Sequence, residues 1–136
     1  MVRVELAKIM ISDTRSEQVV WLKEKGGTRN FPIIIGPYEA MAIQNRVLEK
    51  PFQRPLTHDL LVSVIEQLGG KVQRLEVRML KDSIFYAWLV IEQDGHTQTI
   101  DCRPSDGIAV AVRAEAPIFV AEEVMDEVAT EPVIEP

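Results

Sequence analysis

The stretch Ile84-Phe-Tyr-Ala-Trp-Leu-Val-Ile-Glu92 is apolar at both alternating sets of positions. Successive side chains of a β-strand point to opposite faces of the sheet, so this pattern predicts a central strand that is covered on both faces. The turn signals Lys81-Asp-Ser83 and Asp94-Gly95 separate it from further strand patterns at 72–80 and 96–102. These turns predict an antiparallel meander of three strands.

A buried helix is predicted directly after this meander. Proline suits the first helical position, and the sequence Pro104-Ser-Asp106 provides it there. Residues 108–112 leave almost no polar face, and the helix should end near Ala114. A helix that is apolar all round is buried in the core. A short strand at 118–120 and a short helix at 121–128 are predicted beyond it.

The first half of the chain predicts a second meander, with strands at 2–11, 18–25 and 31–35. Beyond Ala7 the apolar residues of the first strand change parity, which indicates either a β-bulge or a strand that passes from a half-buried to a buried position. Two helices should follow this meander, the second of them capped by Thr57. Their predicted ranges are 37–49 and 57–68.

The pattern as a whole predicts the α+β class. Residues 1–128 should form a single compact domain of two antiparallel β-meanders with interleaved helices, and the order of the strands stays open. Residues 129–136 contain two prolines and little that could be buried. They are predicted to form a flexible acidic tail.

Composition restricts the classes of function. The net charge of −6 argues against a broad basic face for nucleic acid, although it allows a local basic cleft. No apolar run is long enough to cross a bilayer, and the N-terminus alternates like a strand, so no membrane contact is predicted. The single cysteine, Cys102, agrees with a reducing compartment, and a cytoplasmic location is expected.

Two segments share one plan, Arg54-Pro-Leu-Thr-His-Asp59 and Arg103-Pro-Ser-Asp106. Each runs from an Arg-Pro pair through a hydroxyl residue to aspartate and then into a predicted helix. An arginine beside the free N–H groups of a helix start can clamp a phosphate. The aspartates could hold a divalent cation or orient His58 as a general base.

These segments, together with Asp101, supply the candidate site. The candidate catalytic residues are His58, Asp59, Asp101 and Asp106. The candidate phosphate-binding residues are Arg54 and Arg103, and the candidate metal ligands are Asp101 and Asp106.

A structural role for the same residues is an open alternative. Thr57 and Ser105 would then be helix caps, and the aspartates would complement the helix dipoles. The simplest pairings on this view are Arg103 with Asp106, and Arg54 with Asp59 or Asp101.

Five motifs occur in order along the chain: Phe31-Pro-Ile-Ile-Ile-Gly36 with Glu39-Ala40, Arg54-Pro-Leu-Thr-His-Asp-Leu-Leu61, Lys81-Asp82 with Phe85-Tyr-Ala87, Ile100-Asp-Cys-Arg-Pro-Ser-Asp-Gly-Ile-Ala109, and Ala116-Pro-Ile-Phe-Val120. In this order they resemble the bifunctional nuclease family, whose domain is called BFN. The resemblance covers residues 2–128 and is closest in plan to short, stand-alone bacterial members. It implies an α+β fold and nuclease activity on RNA and DNA, and it makes a homodimer plausible.

The sequence therefore leaves two functions open. The first is metal-assisted hydrolysis of phosphodiester bonds, with Mg²⁺ or Mn²⁺ activating water, His58 as acid or base, and the arginines neutralising developing charge. RNA or DNA would be the partner. The second is a non-catalytic dimeric binding module in which the Arg and Asp motifs only fix two helix starts.

Overall fold

The protein is described by a computed structural model that covers residues 1–12, 14, 17–49 and 53–130. Its strands are β1 (Val2–Met10), β2 (Gln18–Glu24), β3 (Asn30–Ile35), β4 (Gly70–Lys81), β5 (Ile84–Gln93), β6 (His96–Cys102) and β7 (Ile118–Val120). Its helices are α1 (Pro37–Val47), α2 (Thr57–Gln67), α3 (Pro104–Ala114) and α4 (Glu122–Val128).

The strands form one sheet in the order β3-β2-β1-β7-β4-β5-β6. The two predicted meanders are its two halves, and the short strand β7 joins them. After α3 the chain returns to the middle of the sheet as β7, which runs antiparallel to β1 and parallel to β4. The prediction of a single compact α+β domain with two antiparallel meanders is confirmed.

Local features of both meanders match the sequence pattern. The pairing of β1 with β2 changes register between Leu6 and Lys8, so the predicted bulge at Ala7 is present. The β4–β5 turn uses Asp82 and Ser83, both with positive φ, as a two-residue hairpin turn of type I′ requires.

The prediction that residues 84–92 form the central strand is wrong, because β5 lies next to the edge strand β6. β5 still buries side chains of both parities, including Leu89 and Val90. The sheet curls strongly, and the rings of Phe31 on β3 and Phe85 on β5 lie 5.6 Å apart although four strands separate β3 from β5. Phe85 shares its parity with Leu89, so this contact lies on the face of β5 that the helices also cover; on the other face Val90 is buried, and Tyr86 and Trp88 are half-buried.

The predicted buried helix is confirmed as α3, which packs between α1 and α2 on one face of the sheet. Its close approach to the sheet depends on Gly107. A Cβ at this position would overlap Leu75 Cδ1 and would lie 3.1 Å from Cys102 Sγ. No helix in the described part of the chain is long and apolar enough to span a membrane.

Two boundaries differ from the sequence prediction. The N-cap residue of α2 is Leu56 and not the predicted Thr57, which is the first residue of the helix. The backbone N–H of Leu56 donates to Asp59 Oδ2 at 2.8 Å. At the C-terminal end, Thr130 exchanges backbone hydrogen bonds of 2.8 and 3.0 Å with Asn30 on β3. The start of the predicted tail is therefore attached to the sheet, and residues 131–136 of that tail lie outside the described residues.

Candidate functional site

The two Arg-Pro segments meet where α2 and α3 begin. His58 Nε2 lies 3.0 Å from Asp106 Oδ1, and His58 is buried. This contact joins the first turn of α2 to the first turn of α3, across 48 positions of sequence. Two of the candidate catalytic residues are thus brought into direct contact.

Arg103 completes this contact from the other side of the carboxylate. Its Nε donates to Asp106 Oδ2 at 2.9 Å, so the predicted pairing of Arg103 with Asp106 is present. The guanidinium also donates to Glu39 Oε1 at 2.9 Å, which brings the first turn of α1 into the group. We call His58, Asp106, Arg103 and Glu39 the four-residue cluster.

Asp106 is ionised within the four-residue cluster. Burial by itself would raise the pKa of this carboxyl group, but the hydrogen bonds from His58 and Arg103 outweigh burial and lower its pKa. The aspartate therefore presents a full negative charge to the His58 ring at neutral pH. A carboxylate on one ring nitrogen fixes the tautomer and the orientation of a histidine.

Asp59 turns away from the cluster, toward the far end of α3. Its Oδ1 accepts from Arg113 Nε at 2.7 Å, so the predicted pairing with Arg54 is wrong. Arg113 also donates to the carbonyl oxygens of Ala109 and Ala42. Its side chain is only 6% exposed, which makes this pair an internal fastening of α1, α2 and α3.

Asp59 is also held in its ionised form. Burial would raise its pKa, but the backbone N–H of Leu56 and the guanidinium of Arg113 lower it below the usual value. Sequence reasoning missed Arg113. The signal was its spacing: seven residues after Asp106 is two helical turns on the same face.

Arg54 lies in a separate cleft of about 500 Å³ beside the start of α2. Arg46 and Arg113 also line this cleft. Arg54 is exposed and makes no ion pair with the described residues. Asn45 Nδ2, which also borders the cleft, is buried without a hydrogen-bond partner in the described part of the chain. Arg54 is therefore a donor in this cleft without a described acceptor, whereas Arg46 and Arg113 already contact Glu115 and Asp59, and Glu49 adds a carboxylate to the lining.

Asp101 does not join His58 and Asp106. On β6 it is paired with Trp88, whose ring lies under the guanidinium of Arg78 on the face away from α3. Its neighbour Cys102 faces α3, and adjacent residues of a strand point to opposite faces. The expectation that Asp101 and Asp106 share a metal site is therefore not met. Over the described ranges, no three His, Cys, Asp or Glu side chains are grouped to hold a metal ion.

Cys102 is close to the cluster but is not a nucleophile. Burial, with the nearby charges of Asp106 and Asp101, raises the pKa of its thiol to about 11. The thiol is therefore protonated at neutral pH, and only the thiolate is reactive. Its contact with α3 is one of core packing.

A sequence model described as the bifunctional nuclease domain matches residues 20–132. The chain belongs to this family. An uncharacterized protein of Mycobacterium tuberculosis is 36% identical over 124 residues, which cover 90% of this chain and 73% of the relative. The resemblance drawn from the five motifs is thereby confirmed.

Plant relatives of this bifunctional nuclease domain are more distant and longer. Bifunctional nuclease 2 of Oryza sativa subsp. japonica is 28% identical over 100 residues, 71% of this chain and 31% of the relative. Bifunctional nuclease 1 of Arabidopsis thaliana is 25% identical over 114 residues, 81% of this chain and 35% of the relative. This chain therefore spans about a third of the length of these plant proteins.

Proposed function

We propose that this bifunctional nuclease domain hydrolyses phosphodiester bonds in RNA and DNA, with the four-residue cluster at the reaction centre. The observation that carries the proposal is the 3.0 Å contact between His58 and Asp106, which joins the two Arg-Pro segments. A histidine oriented by an ionised carboxylate is suited to take a proton from an attacking water or to return one to a leaving oxygen.

The arginines have separate roles in this proposal. Arg103 stands beside Asp106, its side chain is 67% exposed, and its charge can neutralise a phosphate in the transition state. Arg54 and Arg46, in the neighbouring cleft, would hold a second phosphate of the same strand. Asp59 becomes a positioning residue, because its contacts to Leu56 and Arg113 fix the helix start that carries His58.

A few local phosphate contacts suit the charge of the chain. The net charge is −6, so binding cannot rely on a wide basic face. The slope of log affinity for nucleic acid against log salt concentration should then correspond to about two or three phosphate contacts. This slope is shallower than that of proteins that make about 6–10 such contacts.

The divalent cation, Mg²⁺ or Mn²⁺, stays a prediction. Of its two expected ligands, Asp106 lies in the cluster and Asp101 faces the other side of the sheet. We therefore assign no step to a metal. Asp101→Asn tests the prediction that Asp101 and Asp106 together hold the cation. Loss of cation-dependent cleavage in this variant would support that prediction.

The assay is cleavage of single-stranded RNA and DNA by highly purified protein, with Mg²⁺, with Mn²⁺ and with a chelator. We expect Asp106→Asn and His58→Ala each to lower the rate at least a hundredfold, as is typical of lost acid–base catalysis. The matched control is Asp94→Asn, the same change in the exposed β5–β6 turn, which should cleave at the wild-type rate. Wild-type rates in both cluster variants would exclude this cluster as the reaction centre.

A second candidate function is a non-catalytic binding module, and the paired carboxylates favour it. Asp106 is bound by His58 and Arg103, and Asp59 by Arg113, so both aspartates have structural partners. In this case the wild-type protein would cleave neither substrate, and both cluster variants would lose folding stability alone.

A further inference from the structure

A pocket of about 570 Å³ lies between the edge strand β3 and the start of β5, which the curl of the sheet brings together. Residues 32–36 border it on one side and residues 83–85 on the other, and the start of α3, residues 103–105, adds to the lining. We call this space the β3–β5 pocket. Its volume lies within the range of about 300–1,000 Å³ that is typical of small-molecule sites.

The β3–β5 pocket adjoins the four-residue cluster. Arg103 belongs to both, because it lines the pocket and donates to Asp106 and Glu39. Gly36 also lines the pocket, and a Cβ at this position would overlap the carboxylate of Glu39. A ligand in the pocket would therefore lie beside the proposed reaction centre.

Ser105 is a polar lining residue whose side chain the fold leaves without a partner. It is 6% exposed, and its hydroxyl makes no hydrogen bond with any described residue. It does not cap α3, since the N-cap is Arg103 and no side chain caps that end. The hydroxyl is not sealed off, because the enclosed polar side-chain atoms without a partner in the described chain belong to Trp21 and Asn45. A buried hydroxyl without a protein partner points to a ligand as its partner.

The first turn of α3 adds further donors beside this hydroxyl. The N–H of Gly107 donates to the Arg103 carbonyl at 3.0 Å, and the N–H groups of Ser105 and Asp106 precede it without an acceptor inside the helix. They lie at the positive end of the helix dipole. The guanidinium of Arg103 stands at the same end, and its side chain is 67% exposed. This set of donors is suited to one phosphate group.

The other walls of the β3–β5 pocket are apolar. Ile34 and Ile84 both line it and are 64% and 56% exposed. Phe85 also lines it and is half-buried, with its ring against Phe31. Apolar walls of this kind suit a flat ligand, and nucleobases pack on aromatic side chains.

We propose that the β3–β5 pocket binds one nucleotide unit, with its phosphate at the start of α3 and its base against Ile34, Ile84 and Phe85. The inference rests on the proposed function for the source of this nucleotide, which is the strand being cleaved. Ser105 is then a binding residue for the phosphate. The apolar walls hold the adjoining base next to the four-residue cluster.

Other occupants fit the pocket less well. Glu17 adds a carboxylate to the lining, which disfavours a ligand with several phosphates. A peptide strand added to β3 would meet Pro32, which cannot donate a backbone hydrogen bond. A purely apolar ligand would leave the Ser105 hydroxyl without a partner. A single phosphate joined to a base satisfies both the donors and the apolar walls.

The test is an NMR titration of the full chain with adenosine 5′-monophosphate (AMP), ribose 5-phosphate and adenosine. AMP contains no phosphodiester bond, so its binding is measured independently of cleavage. We expect AMP to bind with a Kd of about 1 mM or below, with the largest amide shift changes at residues 83–85 and 103–107. Ribose 5-phosphate and adenosine, which each carry half of the recognised groups, should bind at least about tenfold more weakly.

Two variants separate the phosphate from the base. Ser105→Ala should weaken the binding of AMP and ribose 5-phosphate about tenfold and leave that of adenosine unchanged. Ile84→Ser should weaken the binding of AMP and adenosine about fivefold and leave that of ribose 5-phosphate unchanged. The matched control Ile100→Ser changes an exposed isoleucine of β6 outside the lining and should bind all three ligands as the wild type does.

Competition identifies the source of the nucleotide. AMP should inhibit cleavage of single-stranded RNA competitively, because it occupies the place of one nucleotide of the strand. An active protein that saturating AMP does not inhibit would overturn the proposal, as would equal binding of AMP and ribose 5-phosphate, or no shift changes in the pocket. A protein that binds AMP with these variant effects but cleaves neither RNA nor DNA would support the nucleotide site and refute the nuclease function alone.

Discussion

Substituting alanine at Gly107 tests the close packing of α3 that positions Asp106. The new Cβ would overlap Leu75 Cδ1 and lie 3.1 Å from both Leu75 Cδ2 and Cys102 Sγ. Leu75 is fully buried, so its methyl groups cannot turn away without displacing other core residues. Overpacking of a tight core costs about 1–3 kcal/mol, and an overlap with a fixed side chain belongs at the upper end.

Helix propensity acts in the opposite direction. Alanine is favoured over glycine in a helix interior by about 1 kcal/mol. Set against about 3 kcal/mol of overpacking, the free energy of unfolding should fall by about 2 kcal/mol. With an unfolding entropy of roughly 2.1 cal/mol/K per residue over 136 residues, this corresponds to a decrease in Tm of about 7 °C.

The assay is urea unfolding at constant pH, with a thermal scan as the second measurement. Leu75→Val removes the two Cδ methyl groups that the new Cβ would meet, so Gly107→Ala should cost less in that background than in the wild type. Equal or greater stability of Gly107→Ala, or strictly additive losses in the double variant, would refute the packing argument.

Two further predictions concern the half-buried carboxylates Asp59 and Asp106. Arg113→Met should lower the free energy of unfolding by about 3 kcal/mol, because it leaves Asp59 and two backbone carbonyls without their donor. The control Arg46→Met changes a more exposed arginine and should lower it by about 1 kcal/mol or less in the same urea experiment. The folded-state pKa values of Asp59 and Asp106 are lowered, so the stability that these two carboxylates contribute is complete above the unfolded pKa of about 3.9 and is lost as pH falls through the folded values. Urea midpoints measured from pH 6 to pH 3 should therefore fall less steeply with pH in Asp106→Asn than in the wild type. Parallel curves for the two proteins would contradict the lowered pKa of Asp106.

Local pattern was sufficient to predict most elements, because hydrophobic period and turn chemistry act over a few residues. The bulge at Ala7 and the buried helix α3 were visible in this way. The position of β5 was not, because the strand order and the curling of the sheet, which brings Phe31 to Phe85, depend on contacts between distant segments. A contact between positions 54 residues apart leaves no periodic signal in either segment.

The site was predictable where it depends on helix starts and not where it depends on strand parity. His58 and Asp106 each occupy a first helical turn, and two such turns meet where helices pack side by side. Asp101 was grouped with them by nearness in sequence. Since Cys102 packs against α3, Asp101 must face the other way, and this could be deduced only after the packing of Cys102 was known.

Exposure separates the two arginine–aspartate pairs into different roles. Arg113 is 6% exposed and bound by three acceptors, so a phosphate could recruit it only by dismantling the contact between α1, α2 and α3. Arg103 is 67% exposed, and an exposed ion pair contributes only about 0–1 kcal/mol. A phosphate can therefore compete for Arg103 at low cost while His58 keeps its bond to the other oxygen of Asp106. The pair of Arg113 with Asp59 is thus a fixed clamp at one end of α3, and the pair of Arg103 with Asp106, at its start, is the one that a phosphate would enter in the proposed function.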